Sequence, residues 1–244
     1  MKKNRKFNQK GFNNFIIQNK VVGFFKKPIK LKSGRLSNWY VNWRNIAEDV
    51  YLLDKLTDYV ISFVENLNLK PDCFYGVPEG ATKLALITQY KWARKSSDYG
   101  PGSHVLSMGR GKPKDHGDPK DRYFVGTPKG KVIILEDVTT TGSSLISAID
   151  NLKKIKNVKI IAAISLTNRN EIRDDGKTVE DIVRSKGIRY YAMSNALELL
   201  PKIYKKLKER EKKEDKHEKK EYEKIAELVE KYFEKYCIKK IKLE

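Results

Sequence analysis

The residues best suited to chemistry follow one apolar segment, residues 132–135. Two carboxylates, Glu136 and Asp137, come directly after it, and a hydroxyl-rich turn, Thr-Thr-Thr-Gly-Ser-Ser at 139–144, comes next. If the apolar segment is a parallel strand, the turn opens a helix whose backbone N–H groups can bind a phosphate. The carboxylates can accept hydrogen bonds from vicinal sugar hydroxyls. The pattern predicts a phosphorylated-sugar site at a strand end, the alternative being an acidic strand end followed by an ordinary Ser/Thr helix cap.

Strands and helices alternate around this segment. Short apolar runs predict strands at 73–75, 104–108, 132–135, 158–166 and 188–193. Apolar residues at helical spacing predict helices at 13–19, 49–67, 81–92, 143–155 and 178–185. Continuous apolar strands that alternate with helices are typical of a parallel sheet covered on both faces. The sequence therefore predicts an α/β fold.

Composition excludes several classes of protein. The chain has 244 residues, of which 39% are hydrophobic, enough for a packed core. No apolar run approaches the ~18 residues that span a bilayer, and no signal-peptide pattern follows the basic N-terminus. The two cysteines, Cys73 and Cys237, lack metal-ligand spacing and cannot make a disulfide framework. We therefore expect a cytoplasmic protein with no membrane partner.

The charge balance points to an anionic ligand without choosing one. Lys and Arg number 51 against 31 acidic residues, a formal net charge of +20. Such a field attracts nucleic acid, acidic lipid or phosphorylated metabolites. No RNA-recognition signature is present, and aromatic residues are not interleaved with the basic runs. A nucleic-acid partner is therefore an alternative that the sequence does not favour.

Two further segments stand apart in composition. Residues 109–129 are dominated by Gly, Pro, Lys and Asp, and a loop of this length inside a compact domain is either functional or disordered. Residues 203–236 contain no Gly or Pro and are mostly charged, with an apolar stripe at 225, 228, 229, 232 and 236. This stripe predicts a helical C-terminal extension that bends near its middle and packs on the core or on a partner subunit.

Five segments resemble a known family. Glu136–Ser144 resembles the phosphoribosyl diphosphate (PRPP) signature of type I phosphoribosyltransferases, and four others resemble the orotate branch. Leu31–Asn42 is similar to its Lys-Ser-Gly-Arg motif, and Gly76–Ala81 to its diphosphate-binding loop. Arg110–Gly117 is similar to its catalytic loop, Arg-Lys-x-x-Lys-Asp-His-Gly, and Asn168–Glu171 to its orotate-binding segment.

The resemblance covers residues 12–200 and implies a domain organisation. It implies the type I phosphoribosyltransferase fold, a parallel sheet flanked by helices, for a domain over residues 1–200. That domain has a small N-terminal hood at about 12–45 and a mobile loop at 109–129, called here the long loop. Residues 201–244 are then a charged helical extension for which the family gives no guide.

The resemblance also implies an activity. It is the transfer of the phosphoribosyl group of PRPP to orotate, which gives orotidine 5′-phosphate and diphosphate. It implies Mg²⁺ held mainly through PRPP, no metal ligand supplied by the chain itself, and a homodimer whose subunits share the long loop. The alternatives are a transferase for a purine or uracil and a non-catalytic PRPP-sensing or RNA-binding regulator.

The family's functional residues map onto this chain position by position. Three are expected to be catalytic: Asp137, Lys114 and His116. PRPP binding is expected of the N-terminal motif, the diphosphate loop, the long loop and the signature: Lys32, Val77, Pro78, Glu79, Arg110, Lys112, Lys114, His116, Glu136, Asp137, Val138, Thr139, Thr140, Thr141, Gly142, Ser143 and Ser144. Binding of the base is expected of Lys32, Tyr40, Val41, Thr140 and Arg169.

Alternatives and departures accompany this assignment. Arg35 is expected to bind the base carboxylate or the diphosphate, or else to be surface charge, and Arg169 has the alternative of a surface ion pair with Glu171. Trp39 and Trp43 are predicted to be core residues, and the same role is the alternative for Tyr40. The family has a basic residue where this chain has Gly111, and often a lysine where it has Glu79. The family also has a cis peptide in the diphosphate loop, and Val77–Pro78 is the expected bond.

Overall fold

The computed structural model describes residues 6–116, 122–211 and 216–244. The helices are α1 (Gln9–Gln18), α2 (Arg44–Glu48), α3 (Val50–Asn66), α4 (Thr82–Ala93), α5 (Ser143–Leu152), α6 (Val179–Ser185), α7 (Ala196–Glu211) and α8 (Lys216–Tyr236). The strands are β1 (Val22–Lys30), β2 (Leu36–Val41), β3 (Cys73–Gly76), β4 (Met108–Gly109), β5 (Phe124–Val125), β6 (Gly130–Thr139), β7 (Val158–Asn168) and β8 (Arg189–Asn195).

A parallel four-stranded sheet lies at the centre, in the order β3-β6-β7-β8. One of its two central strands, β6, is buried on both faces, because Ile133 and Leu135 belong to one apolar cluster and Val132 and Ile134 belong to the other. Helices α5 and α6 cover the second cluster, while α3, α4, α7 and α8 cover the first. The predicted α/β fold with a parallel sheet flanked by helices is confirmed.

The hood is α1 together with the antiparallel pair β1–β2. Val22 pairs with Val41, and the register shifts between Phe24 and Ile29. The centre of β1 is polar and exposed, which is why apolar spacing did not predict this strand. The two tryptophans predicted to be core, Trp39 and Trp43, are 0% and 2% exposed.

The C-terminal extension folds back on the hood. The extension forms two helices, since α7 ends at Glu211 and α8 begins at Lys216, and the residues between them, where a bend was predicted, lie outside the described residues. Val229 and Phe233 on α8 are fully buried, and the Phe233 ring lies 5.8 Å from that of Trp39. Packing on the core is therefore confirmed, and α7 runs without interruption across the predicted boundary at residue 201.

The strand predicted at 104–108 is wrong for all but its last residue. Met108–Gly109 alone is extended, as β4, and it pairs with Phe124–Val125 of β5. Leu106 is 54% exposed while Ser107 is 1% exposed, so the fully buried side chain of this run is polar and its leucine does not anchor a strand. The long loop is thus closed at its base by an antiparallel pair, and residues 117–121 of the predicted loop lie outside the described residues.

None of the helices in the described part of the chain is long and apolar enough to cross a membrane.

Candidate active site

Two strand ends and the loops after them form the floor of a cleft. Strands β3 and β6 are parallel neighbours, so the loop after Gly76 and the carboxylates at the end of β6 meet at one edge of the sheet. The carboxylate of Asp137 lies directly against the backbone of Gly80, where an added Cβ would collide with both carboxylate oxygens. One of these oxygens, Oδ1, accepts a hydrogen bond from the Val138 N–H at 2.8 Å. Asp137 is therefore held beside the loop that follows β3.

The neighbouring carboxylate is almost completely buried. Glu136 is 6% exposed. Burial, followed by the adjacent Asp137, raises the pKa of Glu136 well above its usual range, and the Lys32 charge opposes this only in part. A carboxyl with this pKa binds a proton readily until a ligand supplies hydrogen-bond donors or positive charge.

A glycine begins the helix after these carboxylates. Gly142 has φ +74°, and an added Cβ would also collide with Val179, so only glycine suits this position. The turn is fixed from outside, because Arg173 Nη1 donates to the Thr141 carbonyl at 2.7 Å. Inside the turn the hydroxyls of Thr141 and Ser143 are 3.1 Å apart. The first N–H groups of α5 have no helical partner and therefore suit an anion.

Three adjoining cavities make up the cleft, and Lys32 and Ser144 line all three. Their volumes are about 190 Å³ at the turn, 200 Å³ beside the hood and 350 Å³ below the long loop. Lys32 Nζ, from the hood, donates to Ser144 Oγ, from the sheet domain, at 2.8 Å. The predicted residues that line these cavities are Lys32, Tyr40, Val41, Val77, Pro78, Glu79, Arg110, Glu136, Asp137, Val138, Thr140, Thr141, Gly142, Ser143, Ser144 and Arg169.

Thr139 lies in the signature but turns away from the cleft. It is 1% exposed, and its hydroxyl lies 2.6 Å from that of Tyr190 and 3.3 Å from that of Ser165. Burial raises the pKa of Tyr190 to about 12, so this hydroxyl stays protonated at neutral pH. Thr139 is still part of strand β6, which explains why its side chain joins the sheet interior. Its role in the structure is to support the strand end.

Three residues predicted on the long loop lie outside these cavities. Lys112 and His116 are exposed, and Lys114 is half-buried. The Lys114 N–H donates to the Arg122 carbonyl at 2.8 Å, which extends the pairing of β4 with β5. Within one chain, therefore, the structure does not bring Lys112, Lys114 or His116 to the cleft.

The two departures from the family pattern are neighbours in space. A Cβ on Gly111 would lie 2.6 Å from Glu79 Oε1, so glycine at this position leaves room for the glutamate. The cis peptide of the same loop joins Pro78 to Glu79, one bond after the expected Val77–Pro78 bond. Sequence reasoning chose the earlier bond because cis is least costly before proline.

Arg169 combines the two roles that the sequence left open. It lines the 200 Å³ cavity, yet the whole residue is 1% exposed. Its Nε donates to Glu171 Oε1 at 2.6 Å, so the expected ion pair exists but is buried. Arg35 contacts the other oxygen of Glu171 at 2.9 Å and Asp174 at 3.0 Å, so it does not join the cleft.

Sequence reasoning missed several residues of the site. Asn42, Arg44 and Gly80 line the cavity beside the hood. Arg173 donates a hydrogen bond to the turn at 140–144, and the Tyr190 hydroxyl contacts Thr139 at the end of β6. Arg44 carries a signal that could have been used, since it is a cation just after the motif that contains Tyr40. Among the described residues, no group of three or more His, Cys, Asp or Glu is arranged to hold a metal ion.

No family profile matches the chain, but solved structures share its fold and curated proteins share part of its sequence. The orotate phosphoribosyltransferase of Francisella tularensis has a crystal structure that aligns with a TM-score of 0.60 at 21% identity, over 93% of this chain and 99% of that one. The orotate phosphoribosyltransferase of Aquifex aeolicus is 28% identical over 189 residues, which are 76% of this chain and 94% of that protein. The enzyme of the same name from Rhodopseudomonas palustris strain TIE-1 is 32% identical over 161 residues, 61% of this chain and 77% of that protein.

The parallel sheet, the hood and the turn after β6 define a type I phosphoribosyltransferase fold. The 32% identity to the Rhodopseudomonas protein, over 77% of that protein, narrows the assignment from this fold to one family. The chain belongs to the orotate phosphoribosyltransferase family.

Proposed function

We propose that this protein transfers the phosphoribosyl group of PRPP to orotate, giving orotidine 5′-phosphate and diphosphate. One observation carries the proposal. A single cleft contains both the turn at 140–144, with its free backbone N–H groups, and the two carboxylates at the end of β6. The same cleft continues into the cavity beside the hood, which is lined by Arg44 and Arg169. A phosphorylated sugar fits the first part, and a small acidic base fits the second.

Each part of PRPP has a complementary surface in the cleft. The 5-phosphate binds the turn at 140–144, and the ribose hydroxyls bind Glu136 and Asp137. The diphosphate lies along the loop at 77–80, within reach of Lys32 and Arg110, because these residues line the same 350 Å³ cavity or its neighbour. Orotate occupies the 200 Å³ cavity with Tyr40, Val41 and Arg169 around it.

The reaction exchanges one bond at C1 of the ribose. The C1–O bond to diphosphate breaks, and the sugar passes through a state with oxocarbenium character. A ring nitrogen of orotate forms the new C1–N bond, and its proton leaves to the departing diphosphate or to water. Asp137 places negative charge beside the developing cation, and Lys32 and Arg110 place positive charge beside the departing diphosphate. Groups fixed in advance in this way lower the barrier without reorganising during the reaction.

We propose Mg²⁺ as the cofactor, held mainly by PRPP. The chain offers two adjacent carboxylates at the cleft, Glu136 and Asp137, and Mg²⁺ is usually bound by one or two carboxylates together with substrate oxygens. These residues fit such an ion. When bound, it neutralises the charge of the diphosphate. The raised pKa of Glu136 is expected to fall when a cation binds nearby.

We propose a homodimer in which the long loop of one subunit serves the cleft of the other. Lys114 and His116 carry the cations expected for the leaving diphosphate, yet they line none of the three cavities of their own chain. A loop contributed by the partner subunit would complete the site. We also place the enzyme in the cytoplasm, where Cys73 and Cys237, both buried and free, stay reduced.

The experiment is incubation of the purified protein with PRPP, Mg²⁺ and one base at a time from a panel of orotate, uracil, adenine, guanine and hypoxanthine. Nucleotide formation with orotate alone supports the proposal. Nucleotide formation with another base instead of orotate would show that the cavity beside the hood binds that base. Binding of PRPP without nucleotide from any base would contradict the proposal in favour of a regulator.

A further inference from the structure

A buried cluster of side chains joins the C-terminal helix to the segment that carries Arg169. At its centre lies the carboxylate of Glu171, whose side chain is 0% exposed. Its Oε1 accepts from Arg169 Nε at 2.6 Å and from the Tyr232 hydroxyl at 2.8 Å. Its Oε2 accepts from Arg35 Nη1 at 2.9 Å. Tyr232 on α8 therefore shares one carboxylate oxygen with the arginine of the cleft.

Three further residues of the cluster hold the guanidinium of Arg169 in place. It stacks on the Trp39 ring at 3.6 Å, and its Nη2 donates to Ser37 Oγ at 3.0 Å. Its Nη1 donates to the Trp39 carbonyl at 3.4 Å, and Nη2 lies 3.5 Å from the Tyr232 hydroxyl. Burial, followed by the Glu171 charge, raises the pKa of Tyr232 above its usual range, so its hydroxyl stays protonated and donates to the carboxylate.

Backbone hydrogen bonds hold the end of α8 to the same segment. The Ile172 N–H donates to the Tyr236 carbonyl at 2.7 Å, and the Ile238 N–H donates to the Asn170 carbonyl at 3.0 Å. The Arg35 guanidinium covers the Tyr236 ring at 4.7 Å. The two backbone bonds are made at Asn170 and Ile172, the residues before and after Glu171 in the chain, so the end of α8 is attached directly to the segment that holds Glu171.

The charges of the cluster are paired with one another. The guanidinium of Arg169 pairs with the buried carboxylate of Glu171, and Arg35 pairs with the other oxygen of Glu171 and with Asp174. The side chain of Asp174 is 99% exposed and is therefore screened by water, so Glu171 is the carboxylate that holds both arginines in the buried part of the cluster.

We propose that Tyr232 is a positioning residue of the nucleobase site: through Glu171 it sets the direction in which Arg169 presents its guanidinium to the carboxylate of an acidic base. The C-terminal helix is then part of base selection and not only of stability. This inference rests on the proposed function, because it concerns the base that the cavity beside the hood accepts. Arg169 contacts the base, and Tyr232 acts only through Arg169 and Glu171.

The test is steady-state kinetics of Tyr232→Phe, which removes one hydroxyl and keeps the buried ring. We expect the KM for orotate to rise about ten-fold, a change of about 1.4 kcal/mol in binding free energy. We expect kcat and the KM for PRPP to stay within about two-fold, because neither the turn nor the carboxylates of β6 touch this hydroxyl. Inhibition by uracil, which lacks the carboxylate, should be unchanged.

The matched control is Tyr236→Phe, one helical turn later, whose hydroxyl is outside the cluster; all its constants should match the wild type. Equal KM values for orotate in Tyr232→Phe and wild type would overturn the inference. A parallel loss of affinity for orotate, uracil and PRPP would also overturn it, because it would show a purely structural role. If the wild type converts no base at all, the proposed function is wrong, and this inference falls with it.

Discussion

At the scale of single residues, the two adjacent carboxylates of β6 have different environments. Glu136 is nearly inaccessible, while Asp137 is half-buried and lies against the loop that follows β3. The two carboxylates interact with each other and line the same cavity, but only Asp137 lies against Gly80 of the loop after β3. We therefore expect Glu136 to respond mainly to pH and ligand, and Asp137 mainly to determine turnover.

For Asp137 we predict that substitution by asparagine lowers kcat by about 10²–10³-fold, the typical cost of one preorganised electrostatic group. Asparagine keeps the shape and the contact with the Val138 N–H, so the circular dichroism spectrum and Tm should stay close to the wild type. Asp58→Asn, an exposed carboxylate on α3, is the control and should leave kcat unchanged. Wild-type turnover in Asp137→Asn would remove this residue from the mechanism.

For Glu136 we predict that substitution by glutamine stabilises the ligand-free protein at high pH. The pKa of Glu136 is higher in the folded state than in the unfolded chain. Its protonated form therefore stabilises the folded state fully at a pH below the pKa of the unfolded chain, and this stabilisation is lost as the pH rises through the pKa of the folded state. Glutamine cannot ionise, so Tm at about pH 8 should exceed that of the wild type, by about 2–4 °C for each kcal/mol gained. The difference should disappear near pH 4.

Thermal unfolding across that pH range measures this effect. Glu48→Gln, an exposed glutamate at the end of α2, removes the same formal charge and should give no offset that depends on pH. A lower Tm for Glu136→Gln at pH 8 would contradict the interpretation of Glu136 as a destabilised carboxylate. Affinity for PRPP should fall in the same variant, because a ribose hydroxyl loses its charged acceptor.

At the scale of the elements, the long loop lines its own cleft only at its start, with Arg110 and Gly111. The antiparallel pair of Met108–Gly109 with Phe124–Val125 fixes the base of the loop, while Lys114 and His116 lie outside the three cavities. A segment that lies apart from its own cleft is available to the cleft of a neighbour. Loop sharing can be tested by mixing two inactive variants.

We predict that Lys114→Ala and Asp137→Asn, each nearly inactive, regain activity when mixed. If the loop acts on the partner's cleft, half of the dimers are mixed after exchange and one of their two sites is intact, about one quarter of all sites. Asp137 is used rather than Arg169, because loss of Arg169 would leave Glu171 buried with one partner fewer.

The control for this experiment is a mixture of wild type with the double variant, whose mixed dimers contain no intact site if the loop is shared. Subunit exchange is verified by native mass spectrometry of one isotope-labelled partner. Absence of recovery after verified exchange would show that each chain uses its own loop.

Elements were predictable where their signal was local. The strand at Val132–Leu135 and the helix after it followed from an uninterrupted apolar run and a Gly-containing turn, and both are present. Strand β1 was not predictable, because its polar centre shows no alternation. The burial of Arg169 could not be predicted for another reason. Its contacts come from Ser37, Trp39 and Tyr232, which are distant in sequence.

At the scale of the whole molecule, the hood, the sheet and the C-terminal helix share one apolar cluster. Trp39 of the hood, Leu135 of the sheet and Phe233 of α8 are all 0% exposed and all belong to it. A cluster that includes all three parts should make them unfold together. The extension, although distinct in composition, is thereby tied energetically to the rest of the chain.

We predict that Phe233→Ala lowers the free energy of unfolding by about 3–5 kcal/mol, the usual cost of removing a buried aromatic ring. Urea denaturation should still show a single transition, because the hood and sheet lose support at the same time. Leu228→Ala on the same helix, where the leucine is 37% exposed, is the control and should cost far less. A loss under about 1 kcal/mol in Phe233→Ala, or a second transition, would argue that α8 unfolds independently.

The close approach of Gly80 to Asp137 also bears on how this site can evolve. Gly80 contributes no functional group, yet any side chain there would displace the carboxylate beside it. We therefore expect a substitution at position 80 to affect the site through Asp137, although Gly80 itself takes no part in the chemistry. A change of base preference is instead expected from the hood around Tyr40 and Arg44, which can vary without altering the spacing between Gly80 and Asp137.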